Sequence, residues 1–248
     1  QKTQEALATG KKINEASDDP VASAQITAVR AELSRLEVMQ KNVNTAYDEL
    51  AMTEASLSSA EDLISRAREI SVQGSNSVLG PEDRAILATE IEAIRDQLFK
   101  LANTQSPMGD YIFAGHATDR PAFADNDGNY EFQGTNGQRA LNIAAGVTVN
   151  VRSTGTDVFG EGETGIFSVL QNLAGGLRAD DDEIIQRSMT SIDDSQQLML
   201  EGIADLGSRM GLVEDQQLLN EAFNVQLKEN LSGLEDIDYA KAISDMNL

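Results

Sequence analysis

Residues 18–73, DDPVASAQITAVRAELSRLEVMQKNVNTAYDELAMTEASLSSAEDLISRAREISVQ, decide the fold. Asp18-Asp19-Pro20 is a helix start: Asp caps free N–H groups, Pro suits the first helical position, and both acids complement the positive end of the dipole. No Gly or Pro follows within the stretch. Val29, Leu36, Val43, Leu50, Leu57 and Ile64 recur every seven residues, and Ile26, Leu33, Met39, Tyr47, Ala60 and Ala67 widen the stripe. A sustained seven-residue repeat predicts a helix packed along a coiled-coil-like seam. At 1.5 Å per residue such a helix is roughly 80 Å long.

Working outward, Gly74 to Gly80 reads as a turn and Pro81 as the start of a second helix, with Leu87, Ile91, Ile94, Leu98 and Leu101 on one face. The short connection makes it an antiparallel neighbour of the first. After Ser106-Pro107 the chain becomes rich in Gly, Asn, Asp and Thr. Strands are expected at Tyr111–Phe113, Tyr130–Gln133, Ala140–Ile143, Val147–Val151 and Asp157–Phe159, with turn signals at Asp127-Gly128-Asn129 and Asn136-Gly137. Tyr111, Phe113, Phe123, Tyr130 and Phe132 are the expected small core of this region.

Helix returns near Ile166–Arg178, and a longer helix starts behind Asp180-Asp181-Asp182-Glu183. Its seam is Ile185, Ile192, Met199, Leu206, Val213, a polar Asn220, then Leu227 and Leu234, with Gln217 and Asn224 beside the polar position. Such a polar layer either fixes register or marks a solvated stretch. The expected fold is mainly α with a β-rich insertion: an elongated antiparallel helical bundle with a small β domain at one end. Residues 1–105 and 165–248 form the discontinuous bundle and 106–164 the insertion.

Composition narrows the function. The 248 residues carry 41 acidic and 19 basic side chains, a formal charge of −22, which disfavours nucleic acid and membrane surfaces as partners. Aromatics are 4% and Trp is absent, which suits narrow helix seams better than a large apolar ligand pocket. Without Cys there are no disulfides, thiolate nucleophiles or Cys-based zinc sites. The chain begins at Gln1 without an initiator Met and reads as a trimmed piece of a longer one.

No catalytic constellation emerges, and no cofactor is expected. His116, the single histidine, excludes a multi-His metal site and reads as an ordinary loop residue. Asp125-Asn126-Asp127-Gly128-Asn129 places its Gly fourth, not sixth as a calcium loop requires, so a hairpin turn is the better reading. Gly160-Glu161-Gly162-Glu163-Thr164-Gly165 matches the G-x-G-x-x-G of dinucleotide sites. Glu161 and Glu163, however, put negative charge where a pyrophosphate would sit, and no parallel βαβ series surrounds the match. A dinucleotide-binding enzyme is therefore the remote alternative.

Three stretches resemble the flagellin superfamily: Leu7 to Pro20, including Ile13-Asn14 and Asp18-Asp19-Pro20; Ser65 to Gln73, including Arg66, Arg68 and Gln73; and Leu234 to Ala242. The middle of the chain is similar to the hook-associated protein 3 branch: Gly109-Asp110-Tyr111-Ile112-Phe113-Ala114-Gly115, Tyr130-Glu131-Phe132-Gln133-Gly134, and Val158-Phe159-Gly160. The resemblance implies a structural subunit, not an enzyme, that assembles as a ring of copies joining the hook to the flagellin filament. Its implied partners are itself, the other hook-associated junction protein, flagellin, and an export chaperone for a C-terminal segment beyond this chain. It implies export through the flagellar type III apparatus without a cleaved signal peptide, an extracellular location, and heptad-bearing terminal segments missing at both ends. Flagellin proper is the alternative. Gly202, Gly207 and Gly211 in the last long helix are either points of mechanical adjustment or places of close helix approach.

Overall fold

The computed structural model describes residues 8–237 and Tyr239. Of the stretches that carry the resemblance, Leu7, Asp238 and 240–242 lie outside them. Helix α1 runs Pro20–Gly74, α2 Pro81–Ala102, α3 Gly155–Phe159, α4 Ile166–Ala179 and α5 Asp182–Glu235. Between α2 and α3 lie four short strands, β1 Phe123–Asn126, β2 Asn129–Phe132, β3 Ala140–Ala144 and β4 Val147–Asn150, paired as two separate hairpins. The protein is thus mainly α with a small β region.

The start of α1 is held as its residue types dictate. Asp19 Oδ1 accepts from the backbone N–H of Val21 and Ala22, both at 3.0 Å. Asp18 Oδ2 accepts from Glu15 N–H at 3.1 Å, closing the turn that precedes the helix.

The chain packs as two compact units, each holding part of both long helices. The smaller comprises Gln1–Asn44, Asn142–Gly146 and Glu214–Leu248. In it α1 buries Ile26, Leu36 and Val43, while the turn side of β3 contributes the fully buried Ile143. Asn42 Nδ2 donates to the Asn142 carbonyl at 2.8 Å and ties that turn to α1.

The larger unit comprises Thr45–Leu141 and Val147–Val213. Leu50, Leu57 and Ile64 of α1 and Ile185, Ile192, Met199, Leu206 and Val213 of α5 have no exposed surface. Gln196 Nε2 donates to Ser65 Oγ at 2.9 Å and Arg68 pairs with Asp193 at 2.6 Å, so ascending positions on α1 meet descending ones on α5 and the helices are antiparallel. Where α1 ends, Gly74 is needed for close approach, because a Cβ there would lie 2.5 Å from a methyl of Leu177 on α4.

The first hairpin is the one its Asp-Gly signal predicts. Asp127 (φ 55°) and Gly128 (φ 87°) are both left-handed, the I′ geometry that matches strand twist, and β1 pairs β2 in register from Phe123–Phe132 to Asn126–Asn129. Two expected strands are not strands. Asp157–Phe159 lies in α3, where one helical turn lets the consecutive Val158 and Phe159 both enter the core; strand alternation would expose one. Tyr111–Phe113 makes a single bridge, Gln105 to Tyr111. It then turns inward so that Ile112, Phe113 and Ala114 are all buried, ending at Gly115 with φ 66°. Conversely, Phe123–Asn126 pairs as a strand that its sequence does not announce.

The rings of the β region do not form a core by themselves. Phe167 of α4 lies 5.1 Å from Phe123, 5.4 Å from Tyr130, 5.7 Å from Phe99 of α2 and 5.9 Å from Phe159 of α3, ring centre to ring centre. Phe113 joins through Phe159 and Phe132 through Phe123. Most contacts are edge-to-face, the geometry that the ring quadrupole favours. Replacing the fully buried Phe123 by Ala should cost about 3–5 kcal/mol, the usual range for emptying an aromatic site. A urea titration of Phe123→Ala against the parent chain checks this, and an unchanged midpoint would contradict the assigned role of the cluster.

Candidate assembly elements

With no constellation expected for catalysis, the functional parts are those that fix helix register, fasten the β region, and define what the molecule presents to neighbours. The seam positions divide in two. Leu36, Val43, Leu50, Leu57, Ile64, Ile185, Ile192, Met199, Leu206 and Val213 are buried, whereas Val29, Leu227 and Leu234 are half-buried. Asn220 occupies its seam position fully inside; its Oδ1 accepts from Gln216 at 2.7 Å and its Nδ2 has no partner. In the same stretch of α5, Leu218, Leu219, Phe223 and Val225 are each at least half exposed.

Charged side chains fasten the β region of the larger unit. Arg152, buried, bonds Asp110 at 2.8 Å and Glu49 of α1 at 3.3 Å, and Arg139 reaches the other oxygen of Glu49 at 2.5 Å. The Arg152 bond holds the Asp110 carboxyl below its ordinary range. Arg209 of α5 donates to the carbonyls of Asn150 and Arg152 and to Ser153 Oγ. Arg84, in the first turn of α2, is buried and bonds Asp180 at 2.6 Å and Asp182 at 2.7 Å. Sequence reading passed over Arg84, Arg152 and Arg209. The available signals were a cation at the positive end of a helix, where the dipole disfavours it, and a lone Arg directly after the apolar run of β4.

In the smaller unit a clasp joins the two sequence-distant ends of the described chain. Lys12 N–H donates to the Glu235 carbonyl at 2.8 Å and Ile237 N–H to the Gly10 carbonyl at 3.0 Å, an antiparallel bridge. The buried Glu235 carboxylate pairs with Lys11 and, at 2.7 Å, with Arg30. Among the signature residues nearby, Ile13 is half-buried and Asn14, Asp18, Asp19 and Pro20 are exposed.

The remaining singled-out residues are placed as follows. Arg66 is exposed and bonds Glu90 of α2 at 2.8 Å and Glu69; Arg68 pairs with Asp193, and Gln73 is exposed. Tyr130 is buried beneath the Arg95 guanidinium, Gln133 is exposed and Gly134 half-buried. Tyr111 is half-buried; Phe113 and Gly115 are buried. His116 is exposed, its backbone N–H bonded to Thr135 Oγ1 at 2.9 Å. Asp125 Oδ1 accepts from Gly128 N–H as a turn residue. Gly160 to Gly165 follows the short helix α3 rather than a strand, so the strand–loop–helix setting that gives G-x-G-x-x-G its meaning is not present there. Among the described residues no cluster of His, Asp and Glu suits a metal ion, and no helix is long and apolar enough to cross a membrane.

Residues 1–118 match the bacterial flagellin N-terminal helical region. Flagellar hook-associated protein 3 of Escherichia coli K12 is 26% identical over an alignment covering 97% of this chain and 82% of the relative. A solved flagellar hook-associated protein from Vibrio parahaemolyticus superposes with a TM-score of 0.83 at 23% identity, over 88% of this chain and all of that one. The chain is a homologue of flagellar hook-associated protein 3. Like its relatives, this hook-associated protein 3 homologue is a structural subunit of the flagellum. Filament proteins are related to it as well. Flagellin of Listeria monocytogenes is 26% identical over 98% of this chain and 80% of the relative. The solved flagellin of Bacillus cereus superposes with a TM-score of 0.51 at 18% identity, over 72% of this chain and 87% of that one.

Two tests follow for the homologue. Lys11 and then Arg30 hold the Glu235 carboxyl below its ordinary range. The clasp therefore contributes fully above the ordinary carboxylate range, and its contribution is lost as pH falls through that range towards the lower folded value. Glu235→Gln should lose on the order of 1 kcal/mol at neutral pH, since both cations are half exposed. Urea midpoints of parent and variant should converge on acidification. In α5, a Cβ at Gly202 would meet Val158 at 2.5 Å, while Gly207 and Gly211 face open space. Gly207→Ala and Gly211→Ala should each stabilise by about 0.8–1 kcal/mol through helix propensity, and Gly202→Ala should destabilise; thermal melts of the three variants decide.

Proposed function

We propose that this subunit joins the hook to the filament. Copies of the chain form a ring, meeting the other hook-associated junction protein on one side and flagellin on the other. The subunit reaches that position by export, unfolded, through the flagellar type III apparatus, with an export chaperone as a partner, and works outside the cell. The observation that carries the reading is the difference in fold likeness: the hook-associated structure matches nearly the whole chain, the filament flagellin distinctly less of it. The uncovered apolar side chains of α5, Leu218, Leu219, Phe223 and Val225, support packing against neighbouring copies. The half-buried Val29, Leu227 and Leu234 suit the same role.

A filament flagellin is the second reading, favoured by the equal identity to the Listeria protein. Deleting the gene in its host separates the two. Electron microscopy should show hooks without filaments, with flagellin released to the medium. Hooks bearing normal filaments would refute the junction role, and missing filaments without secreted flagellin would favour the second reading.

A further inference from the structure

The connection between the two hairpins runs Gly134-Thr135-Asn136-Gly137-Gln138-Arg139. Asn136 is the single Asn in the sequence followed by Gly. That pairing matters chemically. An Asn side chain is lost when the next residue's backbone nitrogen gives up its proton and attacks the amide carbon. A side chain on that next residue hinders the approach, and a hydrogen bond from its N–H withholds the nitrogen. Asn136 is exposed and lies outside every helix and strand. Among the described residues, neither the Gly137 N–H nor the Asn136 side-chain amide makes a hydrogen bond.

The chain supplies its own contrast. Asp127-Gly128 is the single Asp-Gly pair, and Asp residues follow the same cyclisation by loss of water. There the Gly128 N–H donates to Asp125 Oδ1 at 2.7 Å, inside a paired hairpin. One susceptible dipeptide is fastened and the other is open.

We propose that Asn136 is a built-in deamidation site. The Gly137 nitrogen forms a bond to Asn136 Cγ, its proton leaves with the side-chain nitrogen as ammonia, and a five-membered succinimide results. Water then opens either carbonyl. One product is an ordinary aspartate in place of the asparagine; the other is isoaspartate, in which the main chain runs through Cβ and Cγ. Water is the only co-reactant, and both products add one negative charge.

The isoaspartyl product changes the structure as well as the charge. Thr135 and Gly137 both press their carbonyl oxygens on Gly115, where a Cβ would lie 1.9 Å and 2.8 Å from them. Thr135 N–H bonds the Ala114 carbonyl at 3.1 Å, and its hydroxyl accepts from His116 N–H. One extra main-chain carbon between those two carbonyls prevents both from keeping their seats. The modification therefore releases the inter-hairpin connection from the Gly115–His116 turn.

The test is to hold the folded chain in mildly alkaline buffer at physiological temperature, and then map peptides by mass and by isoaspartyl methyltransferase labelling. Asn136 should convert before any other Asn, with isoaspartate the main product and Asp127 unchanged, and Asn136→Gln should lose the labelling. Gly137→Ala is a poor control, because its Cβ would strike the His116 ring. The urea-unfolded chain is the better reference: the folded chain should convert at a comparable rate. A folded-state rate an order of magnitude slower, or another Asn converting first, would overturn the proposal.

Discussion

The larger unit depends on one cluster of rings. The chain has seven phenylalanines, and six of them, with Tyr130, belong to a connected group around Phe123 and Phe167. These rings come from α2, α3, α4, both strands of the first hairpin and the inward turn at Phe113. A two-stranded hairpin is marginal alone in water, and neither hairpin here is joined to the other by strand pairing. The rings supply the apolar area that the first hairpin lacks and place it against α2, α3 and α4.

Where rings set the position of the β region, charges set its orientation. Burial of a cation is costly unless it is paired, so Arg152 and Arg84 act chiefly as geometric constraints. Arg152 is compatible with one placement of Asp110 and Glu49, and Arg84 with one placement of the turn at Asp180–Asp182. In a chain of charge −22 the cations are the scarce partner. Arg84 and Arg152 place two of them, buried, at such junctions.

Much of this was legible beforehand. The seven-residue apolar repeats announced the two long helices α1 and α5, and Asp127-Gly128-Asn129 signalled a hairpin turn that is present. The errors fell where local pattern is ambiguous. Val158-Phe159 is apolar and β-prone, yet both side chains are wanted on one side, which a helical turn provides. Phe123–Asn126 has no alternation to announce it and becomes a strand because Tyr130 to Phe132 folds back on it. The ion pairs were illegible for a different reason: Glu49 and Arg152 are far apart in sequence, and their meeting is a consequence of the fold.

The two units differ in how completely they satisfy themselves, and that difference bears on assembly. In the larger unit the seam is closed, and large buried residues succeed one another on both long helices. In the smaller unit the same repeat continues, but Leu227 and Leu234 are only half covered, and Asn220 brings an amide with an unmet donor into the seam. The Lys11–Glu235–Arg30 clasp and its backbone bridge join the helix ends there. A fastening made of charges and two backbone hydrogen bonds holds register without burying much apolar surface. It leaves Leu218, Leu219 and Phe223 of α5 uncovered by the rest of the chain.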